Sequence, residues 1–281
     1  MQLKDFIRRH SILLYFIFTF AIPWGSILIL AGPGGLPSKE QIPIEVFSLV
    51  FLAMIAGPSL TGIALTGIID GRKGLRELIE RQMKWRVCAC WYGAVLFLIP
   101  LILVVIISSL SFISPVFTIG IISAKDKISF LAFGVIGASL AGFFEEIGWT
   151  GFALPRVQAR YGVLAAALIV GVLHGAWHFL ADYWGSATTF GSLFLPRIFL
   201  WIVAITALRF LISWVYNNTR SLLLAQIMHA SFTGGQALLE PSLTPPDYLV
   251  YYAGFTIVLW IAVVAIIMIF GKNFVRQSSH L

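Results

Sequence analysis

Ile128-Ser-Phe-Leu-Ala-Phe-Gly-Val-Ile-Gly-Ala-Ser-Leu-Ala-Gly-Phe-Phe-Glu145-Glu146-Ile-Gly-Trp-Thr-Gly-Phe-Ala153 is the stretch on which the reading of this chain turns. It exceeds the roughly 20 apolar residues that cross a bilayer, yet it carries two adjacent glutamates. A charge at the bilayer centre costs about 2.5–3.5 kcal/mol even on a forgiving insertion scale. Such groups face a bundle interior or a wet cavity, and they mark function by default.

The rest of the chain agrees with a membrane setting. Of its 281 residues, 59% are hydrophobic and 11% charged, against about 25% charged in an ordinary soluble domain. Apolar runs fall near 11–31, 46–69, 89–113, 128–153, 162–181, 197–216, 220–239 and 248–270. The breaks hold Pro and Gly, as at Gly32 to Gly35, Pro155, Gly185 and Pro245–Pro246. The expectation is an all-α, polytopic membrane helix bundle of about eight transmembrane helices. It forms a single membrane domain over 1–281. The N-terminal run from Ser11 is read as a first span, since no small-residue cleavage site ends it.

Charge orients the bundle. The net charge is +7, which in a soluble protein would suggest nucleic acid; here no nucleic-acid partner is expected. Lys4, Arg8, Arg9, Arg72, Lys73, Arg76, Arg81, Lys84, Arg86, Arg156, Arg160, Arg220, Lys272 and Arg276 all fall in loops on one side. The other side holds Lys39, Lys125, Lys127 and Arg197. This asymmetry places both termini in the cytoplasm. The stretch Gly71–Trp85 repeats Leu75, Leu78, Ile79 and Met83 at helical spacing among basic residues, as in a helix lying on the inner membrane surface. Cys88 and Cys90 imply no disulfide framework.

Within spans, the ionisable residues are Glu145, Glu146, His174, His178, Arg209 and His229. Counted from the inner ends of their helices, Glu145, His178 and His229 lie roughly 15, 22 and 14 Å deep at 1.5 Å per residue. Three separate helices thus bring polar groups to one layer. His174 and His178 are spaced i, i+4 and share a face. Gln226, His229, Thr233 and Gln236 form a polar stripe, and Gly234 and Gly235 allow a neighbouring helix to approach. Arg209 sits near the inner end of its span, and its side chain is expected to snorkel to the interface. Trp149 and Trp177 are expected to pack.

Two adjacent carboxylates in a low dielectric do not both ionise without cost, so one suits a general base near neutral pH. Imidazoles beside it can orient water, and His229 with Thr233 can donate to an oxyanion. No nucleophilic Ser or Cys stands in a recognisable motif. Zinc is the rival reading, because histidines with carboxylates can ligate it; Glu145, His178 and His229 would then hold it. The His-Glu-x-x-His helix of common zinc proteases is absent, and no cofactor is expected.

Glu145-Glu146-Ile-Gly-Trp-Thr150, His174-Gly-Ala-Trp-His178 and His229-Ala-Ser-Phe-Thr233 resemble, in order and on three helices, the motifs of the CPBP (CAAX protease and bacteriocin-processing, or Abi) family of intramembrane peptidases. Those motifs are Glu-Glu-x-x-x-Arg, Phe-x-x-x-His and His-x-x-x-Asn. The resemblance covers about residues 128 to 239, which it implies to be the catalytic core. It implies an intramembrane endopeptidase, glutamic or metal-dependent, acting on hydrophobic or prenylated (CaaX-like) peptides in a prokaryotic cytoplasmic membrane. Glu145 would be the base acting with His178, and His229 and Thr233 would stabilise the oxyanion; Glu146 belongs to the same catalytic motif. Three positions depart from the pattern. Thr150 replaces Arg, so an ion pair near the glutamates is missing or supplied elsewhere; His174 replaces Phe; Thr233 replaces Asn. A non-catalytic immunity or scaffold protein and a proton-coupled transporter are the competing functions; no internal repeat supports the latter.

Overall fold

The computed structural model describes residues 3–32 and 35–275. Pro33 and Gly34 of the first expected break, and Arg276 of the inner basic set, lie outside the described residues. The described chain is helical throughout: α1 Leu3–Arg9, α2 Ser11–Ala31, α3 Ile44–Gln82, α4 Ala89–Ser111, α5 Gly120–Ser123, α6 Lys127–Gly148, α7 Leu154–Tyr161, α8 Val163–Trp177, α9 Phe179–Phe190, α10 Phe194–Thr219, α11 Leu222–Leu239 and α12 Pro245–Phe270. A π-helical turn, Trp149–Ala153, joins α6 to α7.

Every expected apolar run appears as helix. Six stretches among the described residues are long and apolar enough to cross a membrane, and Val163–Trp177 is a shorter apolar helix. The polar stripe of α11 lowers its hydropathy. The run expected at 162–181 is interrupted, since α8 ends at Trp177 and α9 begins at Phe179 with His178 between them. The span and the basic amphipathic segment are two parts of α3, bent at Gly71, whose φ of 65° suits a residue without Cβ. Beyond the bend Leu78 is buried under the bundle, while Ile79 and Met83 stay exposed.

The two ends differ. At one end Arg8 donates to the Ile69 carbonyl, Arg156 pairs with Asp70 at 2.5 Å, Ser221 donates to the Lys84 carbonyl and Asn218 to that of Phe274. These contacts gather the basic loops on one face. At the other end Ser38 meets Trp184, and Asp182 pairs with Arg197 at 2.9 Å.

Lipid offers apolar helices no hydrophobic reason to associate, so close packing through small residues matters more. A Cβ on Gly142 would lie 2.5 Å from the Gln226 carbonyl oxygen and 2.7 Å from the Ala230 nitrogen, so α6 and α11 touch backbone to backbone. Gly171 and Gly175 do the same for α8 against α10, with Thr206 Cα at 2.8 Å and Ile202 Cα at 2.7 Å from the added carbon. Gly235 packs against Leu103, as the glycine pair in α11 led one to expect. These approaches set α6, α8, α10 and α11 around one buried point.

Candidate active site

Glu145 and Glu146 close the last regular turns of α6. Adjacent residues on a helix point about 100° apart, so the two carboxylates look into different surroundings. Glu146 is fully buried and turned toward α10. Arg209 donates to both of its oxygens, Nη1 to Oε2 and Nη2 to Oε1, each at 2.8 Å. The Thr150 hydroxyl donates to Oε2, and His229 Nδ1 lies 2.7 Å from Oε1. Every lone-pair direction of this carboxylate is therefore occupied.

Arg209 does not snorkel. It is wholly buried, and Nη1 also reaches Thr150 Oγ1 at 3.0 Å and Nη2 reaches His174 Nδ1 at 2.9 Å, while Nε has no partner among the described residues. The snorkelling expectation fails because a bidentate carboxylate offers a buried guanidinium more than the interface does. Arg209 also answers the departure at Thr150. The cation that the resembled motif carries on the glutamate helix comes here from α10, and Thr150 fills the vacated place as a hydroxyl bridging Glu146 and Arg209. The signal was present, since Arg209 is the one cation within a span.

Glu145 faces the other way. His174 Nε2 lies 3.0 Å from its Oε2, and His229 Nε2 lies 3.8 Å from the same atom. Arg209 can only donate, so His174 Nδ1 accepts and the ring proton sits on Nε2, directed at Glu145. Likewise His229 directs Nδ1–H to the ionised, arginine-paired Glu146, leaving Nε2 toward Glu145. Trp149 stacks on His174 with ring centroids 4.6 Å apart, which holds the imidazole plane. Trp177 is buried and donates to the Thr19 carbonyl. Both tryptophans pack, as expected.

A cavity of about 190 Å³ opens on Glu145 and is lined also by His178, His229 and Thr233. Glu146 is not in its wall. The i, i+4 pair His174 and His178 is divided: His174 holds Glu145 from behind, and His178 stands in the cavity, its ring 5.6 Å from that of His174. The polar stripe of α11 divides too. Gln226 binds Gln82 and the Phe143 carbonyl, and Gln236 binds Tyr252. Only His229 and Thr233 of the stripe reach the cavity.

Glu145, His174 and His229, not His178, bring one possible ligand atom each within 4.8 Å of one another. The spacing would admit an ion, but the donor chemistry does not fit. His174 Nε2 carries the proton as long as Arg209 occupies Nδ1, and a protonated nitrogen has no lone pair for a metal.

Residues 127–234 match the family described as type II CAAX prenyl endopeptidase Rce1-like. The resemblance read from the motifs is borne out. The match ends just past Thr233, so it contains all three motifs. The chain is also similar to "CAAX prenyl protease 2" of Methanococcus maripaludis, 24% identical over 241 residues that take in 82% of this chain and 86% of the relative. That second similarity runs well beyond the motif helices into the N-terminal or C-terminal spans.

Proposed function

We propose that the chain is an intramembrane endopeptidase hydrolysing peptide bonds of hydrophobic or lipid-modified, CaaX-like peptides through a water activated by Glu145. The observation that carries this reading is the division of labour between the glutamates. One is saturated by Arg209, Thr150 and His229, and the other turns a carboxylate oxygen into a cavity shared with two histidines and a threonine. A scaffold has no need of an oriented carboxylate facing an open space. The similarity to prenyl endopeptidases supports the hydrolysis of a peptide bond.

A water on the cavity side of Glu145 Oε2 and His229 Nε2, which stand 3.8 Å apart, can hydrogen-bond to both. Glu145 takes one proton as the hydroxyl adds to the peptide carbonyl carbon. His178 and Thr233 then supply hydrogen bonds to the oxyanion. When the intermediate collapses the C–N bond breaks, and the proton held by Glu145 passes to the leaving amine. This assignment exchanges the parts that the family resemblance implies for the two histidines. His229 stands nearer Glu145, and its Nδ1–H is already committed to Glu146. Glu146, Arg209, Thr150 and His174 are positioning residues.

The test is cleavage of a panel of quenched peptides, prenylated and unmodified, by purified protein in detergent. Glu145→Gln should lower the rate by about 10²–10⁴-fold, the range of general base catalysis, with the folded protein intact. A folded wild type that cleaves nothing would favour the immunity or scaffold function.

A further inference from the structure

Between α1 and the bend of α3, at the end that gathers the basic loops, lies a pocket of about 420 Å³. That volume falls within the roughly 300–1,000 Å³ of small-ligand sites. Its walls carry Lys4 and Arg8 from α1, and Asp70, Lys73 and Glu77 from α3. Gly71 also lines it, and a Cβ there would meet nothing within 4 Å, so the wall at the bend is bare backbone with open space in front of it.

The charges do not cancel. Asp70 is already held by Arg156 of α7 at 2.5 Å. Lys73 lies 4.0 Å from Glu77, and both side chains are largely exposed. Exposed pairs of that kind hold weakly, so Lys73 can turn to another anion. Arg8 spends Nη2 on the Ile69 carbonyl at 3.2 Å, and its Nε and Nη1 have no partner among the described residues. With Arg156 counted, four cations stand against two carboxylates, a surplus of two positive charges. The bend at Gly71 also starts a second helical segment, and the start of a helix carries positive partial charge.

The position selects the carrier of the anion. The apolar run of α2 begins at Ser11 and that of α3 ends at the bend, so the pocket lies at the level of lipid headgroups. Large apolar side chains are exposed within a few residues of its walls: Leu3 and Phe6 on α1, Leu13 on α2 and Ile68 on α3. A soluble anion has no use for such a surface, whereas acyl chains lie against it.

We propose that this pocket binds the phosphate of an anionic phospholipid, with Lys4, Arg8 and Lys73 as its ligands. It shares no lining residue with the cavity on Glu145 and does not depend on the peptidase reading. Basic pockets beside membrane helices recognise lipid headgroups through this chemistry.

Titrating the full chain in detergent with short-chain phosphatidylglycerol, with phosphatidylcholine of the same chain length and with inorganic phosphate tests the site, with the thermal midpoint as readout. Phosphatidylglycerol should raise the midpoint saturably, and phosphatidylcholine should not. Lys4→Gln and Lys73→Gln, both at exposed positions that folding does not need, should each raise the half-saturating concentration about fivefold, the worth of one basic side chain at an anionic membrane surface. Arg72→Gln and Lys84→Gln remove the same charge from the same end outside the pocket wall and should leave it unchanged. Equal weakening in these two would reduce the effect to general attraction by the basic end and overturn the pocket as a site. The full shift with inorganic phosphate alone would overturn the lipid as ligand, and no saturable shift with phosphatidylglycerol would overturn the proposal outright.

Discussion

The Arg209 guanidinium and the Glu146 carboxylate face each other through two parallel 2.8 Å hydrogen bonds, and neither side chain reaches solvent. They come from α10 and α6, 63 residues apart in sequence. The pair fixes Glu146 and holds the two imidazoles, His174 and His229, that stand beside Glu145.

Breaking that pair from one side strands a buried charge, which costs about 3–5 kcal/mol. Arg209→Met and Glu146→Gln should each lower the unfolding midpoint in detergent sharply. The double variant should recover part of the loss, because replacing both partners of a buried pair is often nearly neutral. A double-mutant cycle showing no coupling would refute the central place given to the pair. None of the three variants should cleave peptide at the parental rate.

His174→Phe restores the side chain that the resembled motif carries there. Phenylalanine keeps the stack on Trp149 but removes the hydrogen bond to Glu145. Hydrogen bonds to charged groups contribute about 1.5–3 kcal/mol, so kcat should fall by about 10- to 100-fold with little change in KM. An unaltered kcat would show that His174 only packs.

Peptide cleavage should survive a strong chelator and gain nothing from added zinc. Arg209 holds the lone pair of His174 Nδ1, which leaves a proton on the nitrogen that a metal would need. Loss of activity with chelator, restored by zinc, would require Arg209 to release His174 and would replace the mechanism above.

Gly142→Leu tests the packing that assembles the site. Its side chain would drive into the Gln226 carbonyl and the Ala230 backbone. Overpacking of tight interiors costs about 1–3 kcal/mol or more, so the yield of folded protein and the thermal midpoint should both drop. Gly137→Leu, on the same helix with open space at its Cα, should leave both unchanged.

Much of the fold was written in composition and period. Charged residues excluded from long runs specify membrane helices, because burying a charge in lipid costs free energy at each position separately. The glutamate pair and the histidines on later helices stood out for the same reason, and counting from the inner helix ends already set them at one depth. What counting could not provide was azimuth. Residues 145 and 146 are neighbours in sequence and both are acidic, yet one belongs to a saturated ion pair and the other to a cavity. Likewise His174 and His178, or Gln226 and His229, share a helix face but part company once neighbours pack against them. Arg209 was misjudged because depth along its own helix says nothing about which helix stands opposite. The sequence by itself determined the helices, their span across a membrane and the layer where polar chemistry gathers, since those follow from local transfer costs. Only the tertiary structure decided which carboxylate meets Arg209 and which meets the cavity, since a side chain's partners depend on helix rotation and close approach between distant segments.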